Sequence, residues 1–454
     1  FIKSPYHNKN IDLVLLYEYL QKYAPKFDKE KHLAKETVYQ KALGKPYDAK
    51  QMGYYLSYLV KISEKFNIID PLNEGEQEQE YNYHLLQYYN NNKLEKHYKS
   101  ALKDAQTALQ TYESRDAAYH HYQYLLEDLN NAHFDRKRRH GFDDSLQKAV
   151  DNLDIYFISK KLKYSCEIIN RQNVVAGAYK LRFLDELLHY LNDSSLKDTP
   201  CIAIYHQILL TLLHSDKIDH FSQLKQSLQQ HSNQFSKEES RSMYMYAVNH
   251  TIRKINNGNT SYQRELFDLY LELLDKAIIF DDGYLSPWTF KNIVSIAIRV
   301  NEFEWTGNFI EQYKSSIEPT FRENAYTFNR AYLLFSQGNY NEALQMLQQV
   351  EFTHLYYNIE TKALMVKLYY ELGESELLNA HIHAFKTYLK RNKYISASMK
   401  AIYLNLAEFI RQLDKIKQTP NSDTQKNALQ RLKTKVQQTK KVADLNWLLK
   451  KINS

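Results

Sequence analysis

The sequence predicts an all-α protein: an α-solenoid of antiparallel helix pairs with a small helical module at its N-terminal end. Three observations carry this. Two helix–turn–helix stretches follow one another within Asn324–Arg391, turning at Gln337-Gly338-Asn339-Tyr340 and at Leu372-Gly373, so the turn glycines lie 35 residues apart. A fixed period of that size marks one repeated helix pair. Glycine (10) and proline (8) are scarce, which leaves few tight-turn residues for a β-rich fold. From Tyr81 onward apolar residues recur at helical spacing, and no alternating stretch reads as a strand.

The elements follow in order. Asn8 or Asn10 caps a first helix carrying Ile11, Val14, Leu15 and Tyr19, which stops before Pro25. Lys35–Leu43 is a short helix closed by Gly44, and Asp48 caps a stronger one with Met52, Tyr55, Leu56, Leu59, Ile62 and Phe66 on one stripe. Residues 1–70 therefore form an N-terminal helical module of about three helices. The acidic run Asn73–Glu80 leads into a degenerate helical-repeat region, 71–280, with breaks at Ser114-Arg115-Asp116 and Gly141-Phe142-Asp143. Thr199-Pro200 and Ser286-Pro287 place a capping hydroxyl before a proline at the first helical position, Ser236–Glu239 is a capping box, and Asn256–Asn259 closes another helix. Residues 281–395 hold three tandem units, about 287–320, 324–353 and 359–391. Asn301-Glu302-Phe303 stands where Gly338-Asn339-Tyr340 stands one unit later, and Pro319 falls where the first unit should end. Residues 396–454 form basic C-terminal capping helices. The count comes to 18–20 helices.

Hydrophobic residues (43%) suffice for a core, and two cysteines, Cys166 and Cys201, do not make a disulfide framework; a reducing compartment, the cytoplasm, is expected. No apolar run reaches the ~20 residues of a membrane helix. Phe1 in place of methionine points to a segment missing upstream, either further chain or a removed signal peptide. The net charge of +7 resides in residues 414–454, with ten Lys/Arg against three Asp; the rest is balanced, so no global basic field for nucleic acid exists. The densest basic cluster, Arg136-Lys137-Arg138-Arg139, is a candidate anion contact, set against a solvated cationic helix end.

Motifs for chemistry are missing. There is no Gly-Lys-Ser/Thr phosphate loop, GxGxxG, HExxH or GxSxG, and Asp281-Asp282-Gly283 lacks the ligand spacing of a calcium loop. His120-His121 and His381/His383 do not share a helix face, so no metal site is expected, and no cofactor. Cys166 and Cys201 read as buried small hydrophobes. No catalytic residue is assigned, and an enzyme would have to assemble its site from scattered side chains.

The three tandem units resemble tetratricopeptide repeats: Gly338, Tyr340, Ala343, Leu347 and Val350 stand at that motif's positions, as do Tyr369 and Gly373 one unit on. Across most of its length the chain also resembles a family of uncharacterised tetratricopeptide-like proteins of Bacteroidota bacteria, through Gly44-Lys45-Pro46-Tyr47, Leu285–Asn292 and Gln349–Phe352. That family brings no known activity. The repeat resemblance implies that each first helix lines a groove through Trp288, Lys291, Ser295, Ile298 and Arg299, then Ala325, Phe328, Tyr332, Phe335 and Ser336, then Glu360, Ala363, Lys367, Tyr370 and Glu371. The candidate peptide-groove residues are Trp288, Lys291, Arg299, Phe328, Tyr332, Lys367 and Tyr370. They suit an acidic peptide, although several of the aromatics could equally pack on the next unit. A non-enzymatic scaffold binding a protein or peptide in this groove is the leading expectation. A nucleic-acid-associated regulator using residues 1–70 or the basic tail is the alternative.

Overall fold

The computed structural model describes residues 1–73, 77–136, 143–172, 179–348, 355–419 and 422–454. Among them the protein is all-α: 22 α-helices and three short 3₁₀ turns, with two isolated β-bridges, Asp281 with Tyr284 and Leu285 with Ile317. The count exceeds the sequence reading because single-turn pieces such as Glu30–Leu33 carry no periodicity to read. The chain forms two compact units, Phe1–Leu209 and Leu210–Ser454.

The first unit contains α1 (Ile11–Gln21), α2 (Glu30–Leu33), α3 (Lys35–Leu43), α4 (Ala49–Asn73), α5 (Glu78–Asn91), α6 (Glu95–Gln110), α7 (Ala117–Arg136), α8 (Ser145–Gln172) and α9 (Leu184–Asp193). The boundary falls inside α10 (Pro200–Leu213). The caps expected here form. Asn10 accepts the Asp12 N–H, Asp48 accepts the Gln51 N–H, and Gly44 ends α3 at φ +66°. Leu13, Leu16, Val38, Tyr39, Met52 and Tyr55 close a core among α1, α3 and α4, whereas Phe66 stays exposed. Tyr55 adds a polar tie to α1 through a 2.6 Å hydrogen bond donated to Asp12, which Lys45 also meets at 2.8 Å.

The second unit contains α11 (Ile218–His231), α12 (Lys237–Asn256), α13 (Tyr262–Asp275), α14 (Pro287–Arg299), α15 (Phe303–Tyr313), α16 (Pro319–Ser336), α17 (Tyr340–Leu347), α18 (Leu355–Glu371), α19 (Ser375–Arg391), α20 (Ala397–Lys417), α21 (Ser422–Gln438) and α22 (Leu445–Asn453). Pro319 opens α16 rather than closing the unit before it. Its fixed φ and missing N–H cost nothing at the first helical position, and the extended Glu318 precedes it. Ser286 precedes Pro287 as expected but makes no side-chain cap hydrogen bond, while Ser236 does cap α12.

One local device recurs at the turns between paired helices. Gly338 and Gly373 both take positive φ. The residue after each returns its N–H to the first helix, Asn339 to Leu334 O and Glu374 to Tyr369 O, satisfying carbonyls that the helix end leaves orphaned. Asn301 adopts the same left-handed conformation at φ +64°, with Glu302 N–H on Ala297 O. Gly258 does likewise, with Asn259 N–H on Lys254 O, so the helix pair α12–α13 carries the same turn. Replacing Gly338 with alanine should cost about 1 kcal/mol from backbone strain alone, because the added methyl group would meet nothing within 4 Å. Asn301→Gly should move the unfolding midpoint the other way by a smaller amount. Denaturant titration of both variants checks the signs; a stabilised Gly338→Ala chain would contradict the turn geometry.

The first helices α14, α16, α18 and α20 lie against one another in succession, and each second helix packs on its partner. Towards the C-terminal end Phe385, Leu389, Ile410, Leu413, Val436, Leu448 and Ile452 join into one core. Thus α21 and α22 cover apolar surface that α19 and α20 would otherwise expose.

Candidate functional site

On α14, Lys291, Ser295 and Arg299 are spaced by four residues and therefore share one helix face. Facing them are Phe328 and Tyr332 from α16, then Glu360, Ala363, Leu364 and Lys367 from α18. Tyr403 of α20 and the Ala443-Asp444 entry to α22 complete the wall of a cavity of about 140 Å³. Five of the seven candidate groove residues, Lys291, Arg299, Phe328, Tyr332 and Lys367, line this one cavity.

The charges in the wall interlock. Lys291 donates to Glu360 at 2.6 Å, and the Tyr403 hydroxyl donates to the same carboxylate oxygen at 2.9 Å. Lys367, only 4% exposed, meets Asp444 at 2.5 Å. Its ammonium also lies 5.0 Å from the Phe335 ring centre, 5.7 Å from Tyr332 and 5.8 Å from Trp447, so three aromatic rings share the cation. Burial alone would lower the Lys367 pKa. The Asp444 carboxylate, with Tyr332 and Glu360 adding to it, outweighs that and raises it. Burial conversely pushes Asp444 up, but Lys367, Arg299 and Lys291 hold its carboxyl below the usual range. Both shifts favour a fully ionised pair.

Three cations and two carboxylates therefore face the cavity, which leaves one positive charge over. It belongs to Arg299, an exposed side chain with no hydrogen bond or salt bridge among the described residues. On the other flank of α14 lies a second cavity of about 210 Å³, bounded by Ile252, Ile255, Leu266, Tyr270 and Ile296, with Ser295 and Arg299 again on its rim. The surplus guanidinium thus stands between a polar cleft and a mainly apolar one.

The remaining groove residues are already engaged. Trp288, 37% exposed, stacks on Tyr357 at 5.7 Å; the Tyr357 hydroxyl donates to Pro287 O at 3.0 Å and its ring meets Phe328 edge-on. Tyr370 lies under Trp447, with ring centres 5.8 Å apart, and burial followed by the neighbouring Glu371 and Asp414 charges pushes its hydroxyl up to about 12. Phe328 is 2% exposed and fills the core beneath the cleft rather than its mouth.

Of the basic cluster, Lys137, Arg138 and Arg139 lie outside the described residues. Arg136 directs its guanidinium to the Asn90 carbonyl and to His133. Cys166 and Cys201 are buried free thiols; burial pushes both up, Cys201 to about 11. That is the wrong direction for a nucleophile. No group of three or more His, Cys, Asp or Glu side chains among the described residues is placed to hold a metal ion, and no described helix is long and apolar enough to cross a membrane.

Sequence reasoning did not find Tyr403 or Asp444. The α20 helix stands outside the repeat register, and Asp444 lies 77 residues from Lys367. Only the acidic residue at the head of the last amphipathic helix could have drawn attention to it. Comparison with known protein families, with curated proteins and with solved structures gives no match.

Proposed function

We propose that the protein is a non-enzymatic scaffold of tetratricopeptide-like architecture, and that the first-helix face of its second unit binds a peptide segment of a partner protein bearing a carboxylate. The observation that carries this reading is Arg299: a guanidinium between two cavities that makes no hydrogen bond or salt bridge among the described residues, on a face whose two lysines are each paired with a carboxylate. Arginine presents a planar fork suited to carboxylates, and the mainly apolar second cavity beside it supplies contact area. The other charged side chains of the cleft are tied to one another, Lys367 to Asp444 and Lys291 to Glu360, which supports binding over catalysis. The buried free thiols suit a reducing compartment such as the cytoplasm. Within the basic tail Lys451 is tied to Glu371, and the nucleic-acid alternative would have to rest on the exposed cations that remain there.

Phe328, being buried, would report on folding rather than recognition, so Arg299 is the residue to change. Selection from a random peptide library on the full chain should enrich sequences with Asp or Glu, and Arg299→Glu should weaken the selected peptides at least tenfold at an unchanged melting temperature. Equal affinity for both chains would remove the assignment.

A further inference from the structure

The C-terminal segment already occupies part of this face, and the way it does so describes a ligand. Asp444 meets Lys367. One turn on, Trp447 lies against Tyr370 and Phe335 and donates its indole N–H to Glu371 at 3.1 Å. A further turn on, Lys451 reaches the same Glu371 carboxylate at 2.7 Å. Positions 444, 447 and 451 form one stripe of a short helix. Just upstream the chain is fixed through backbone: the Asn405 amide donates to Lys441 O at 2.8 Å. These polar partners come from the first helices α18 and α20, the surface assigned above to partner peptides.

Two features make this occupancy less than optimal. Asp444 sits at φ +48°, a left-handed conformation that a non-glycine residue adopts at a cost. The Tyr370 hydroxyl, buried beneath Trp447, has no hydrogen-bond partner among the described residues, and an orphaned buried donor is a penalty the complex carries. A ligand that placed its carboxylate without the left-handed residue, or offered Tyr370 an acceptor, would fit better.

We propose that residues 440–454 are an internal ligand that competes with the partner, and that the partner peptide is a short amphipathic helix with an acidic residue three positions before an aromatic one. This rests on the peptide-binding reading of the same face. A tethered segment acts at an effective concentration on the order of millimolar, so it masks the site against dilute partners of similar intrinsic affinity.

The probe is a labelled synthetic peptide of residues 440–454 added to the full-length chain, followed by fluorescence anisotropy. Wild type, with its own copy in place, should bind it weakly. Asp444→Asn keeps a side chain that tolerates positive φ but removes the charge, so it should loosen the internal copy and raise affinity for the added peptide at least tenfold. Lys367→Met should abolish binding in the same background, and a peptide with asparagine at the aspartate position should bind neither chain. Trp447→Ala is the second loosened variant, with circular dichroism confirming that its helical content is kept. Equal affinity of wild type, Asp444→Asn and Trp447→Ala for the peptide overturns the proposal. If library peptides still depend on Arg299 in that case, only the internal-ligand inference falls; if they do not, the peptide-binding reading falls with it.

Discussion

Lys367→Met should release the C-terminal helix from the second unit while leaving the helix pairs upstream folded. Methionine keeps most of the aliphatic stem under Tyr332, Phe335 and Trp447, so the substitution removes chiefly the charge. Breaking a fully buried pair from one side costs about 3–5 kcal/mol, because the remaining ion is left without a partner. Asp444 retains 32% side-chain exposure and can rehydrate, which brings the expected loss to about 2–3 kcal/mol. Amide exchange should show it as lost protection across residues 440–454, with α14–α17 unchanged. The wild-type tie is also pH-dependent at both ends. Asp444 is depressed, so its contribution is present above an unfolded pKa of about 3.9 and disappears as pH falls through the lower folded value. Lys367 is raised, so the same contribution is complete below about 10.4 and fades as pH rises through the folded value. Protection should therefore form a plateau between about pH 4 and pH 10 in wild type. In Lys367→Met both the basic limb and the depressed acid limb should vanish. A double cycle with Asp444→Asn should give a coupling of about 1–3 kcal/mol, and additive effects would mean the two side chains do not act together.

The part of this cleft that could be read from the chain is the part built by a repeat. Gly338 and Gly373 announce the left-handed turns, and once the turn is fixed the 3.6-residue period decides which side chains share a face. Lys291, Arg299, Tyr332 and Lys367 could be placed together for that reason. Asn301 shows that the turn tolerates a residue other than glycine, and Gly258-Asn259 carries the same dipeptide as Gly338-Asn339 in a region whose helical register is degraded. Depth is harder to read. Phe328 and Tyr332 are one helical turn apart, chemically alike and both on the cavity lining, yet Phe328 is buried and Tyr332 only half-buried. Facing the groove and filling the space below it demand the same residue type. Pro319 is ambiguous in another way: proline serves both just beyond a helix end and at a first helical position, and only the backbone of Glu318 distinguishes the two. Asp444 lies beyond any local rule. Its role depends on a chain return over 77 residues, and the sequence offers no period to carry an inference that far.

Phe309→Ala should be the most destabilising single substitution in the second unit and should change the form of the unfolding curve. Phe309 is 2% exposed on α15, stacks on Phe290 at 5.0 Å and on Trp305 at 5.1 Å, and touches Tyr313 at 5.0 Å. Truncation removes the ring from between two helices of one pair and leaves a cavity among aromatic side chains too large to close around it. The expected loss is about 3–5 kcal/mol. Each pair in such an array is stabilised by itself and by its neighbours, so α14–α15, with α12–α13 before it and α16–α17 after it, is a link in a series rather than part of one shared core. Weakening a middle link should uncouple the two sides, and the transition of this unit should split into two phases instead of shifting as a whole. Phe309→Leu, which keeps most of the apolar volume, should cost about 1–1.5 kcal/mol and leave the transition single. Calorimetry of the two variants distinguishes the cases. A uniform downward shift in Phe309→Ala, with no second phase, would mean that the second unit folds as one cooperative block and that the helix pairs are not its energetic units.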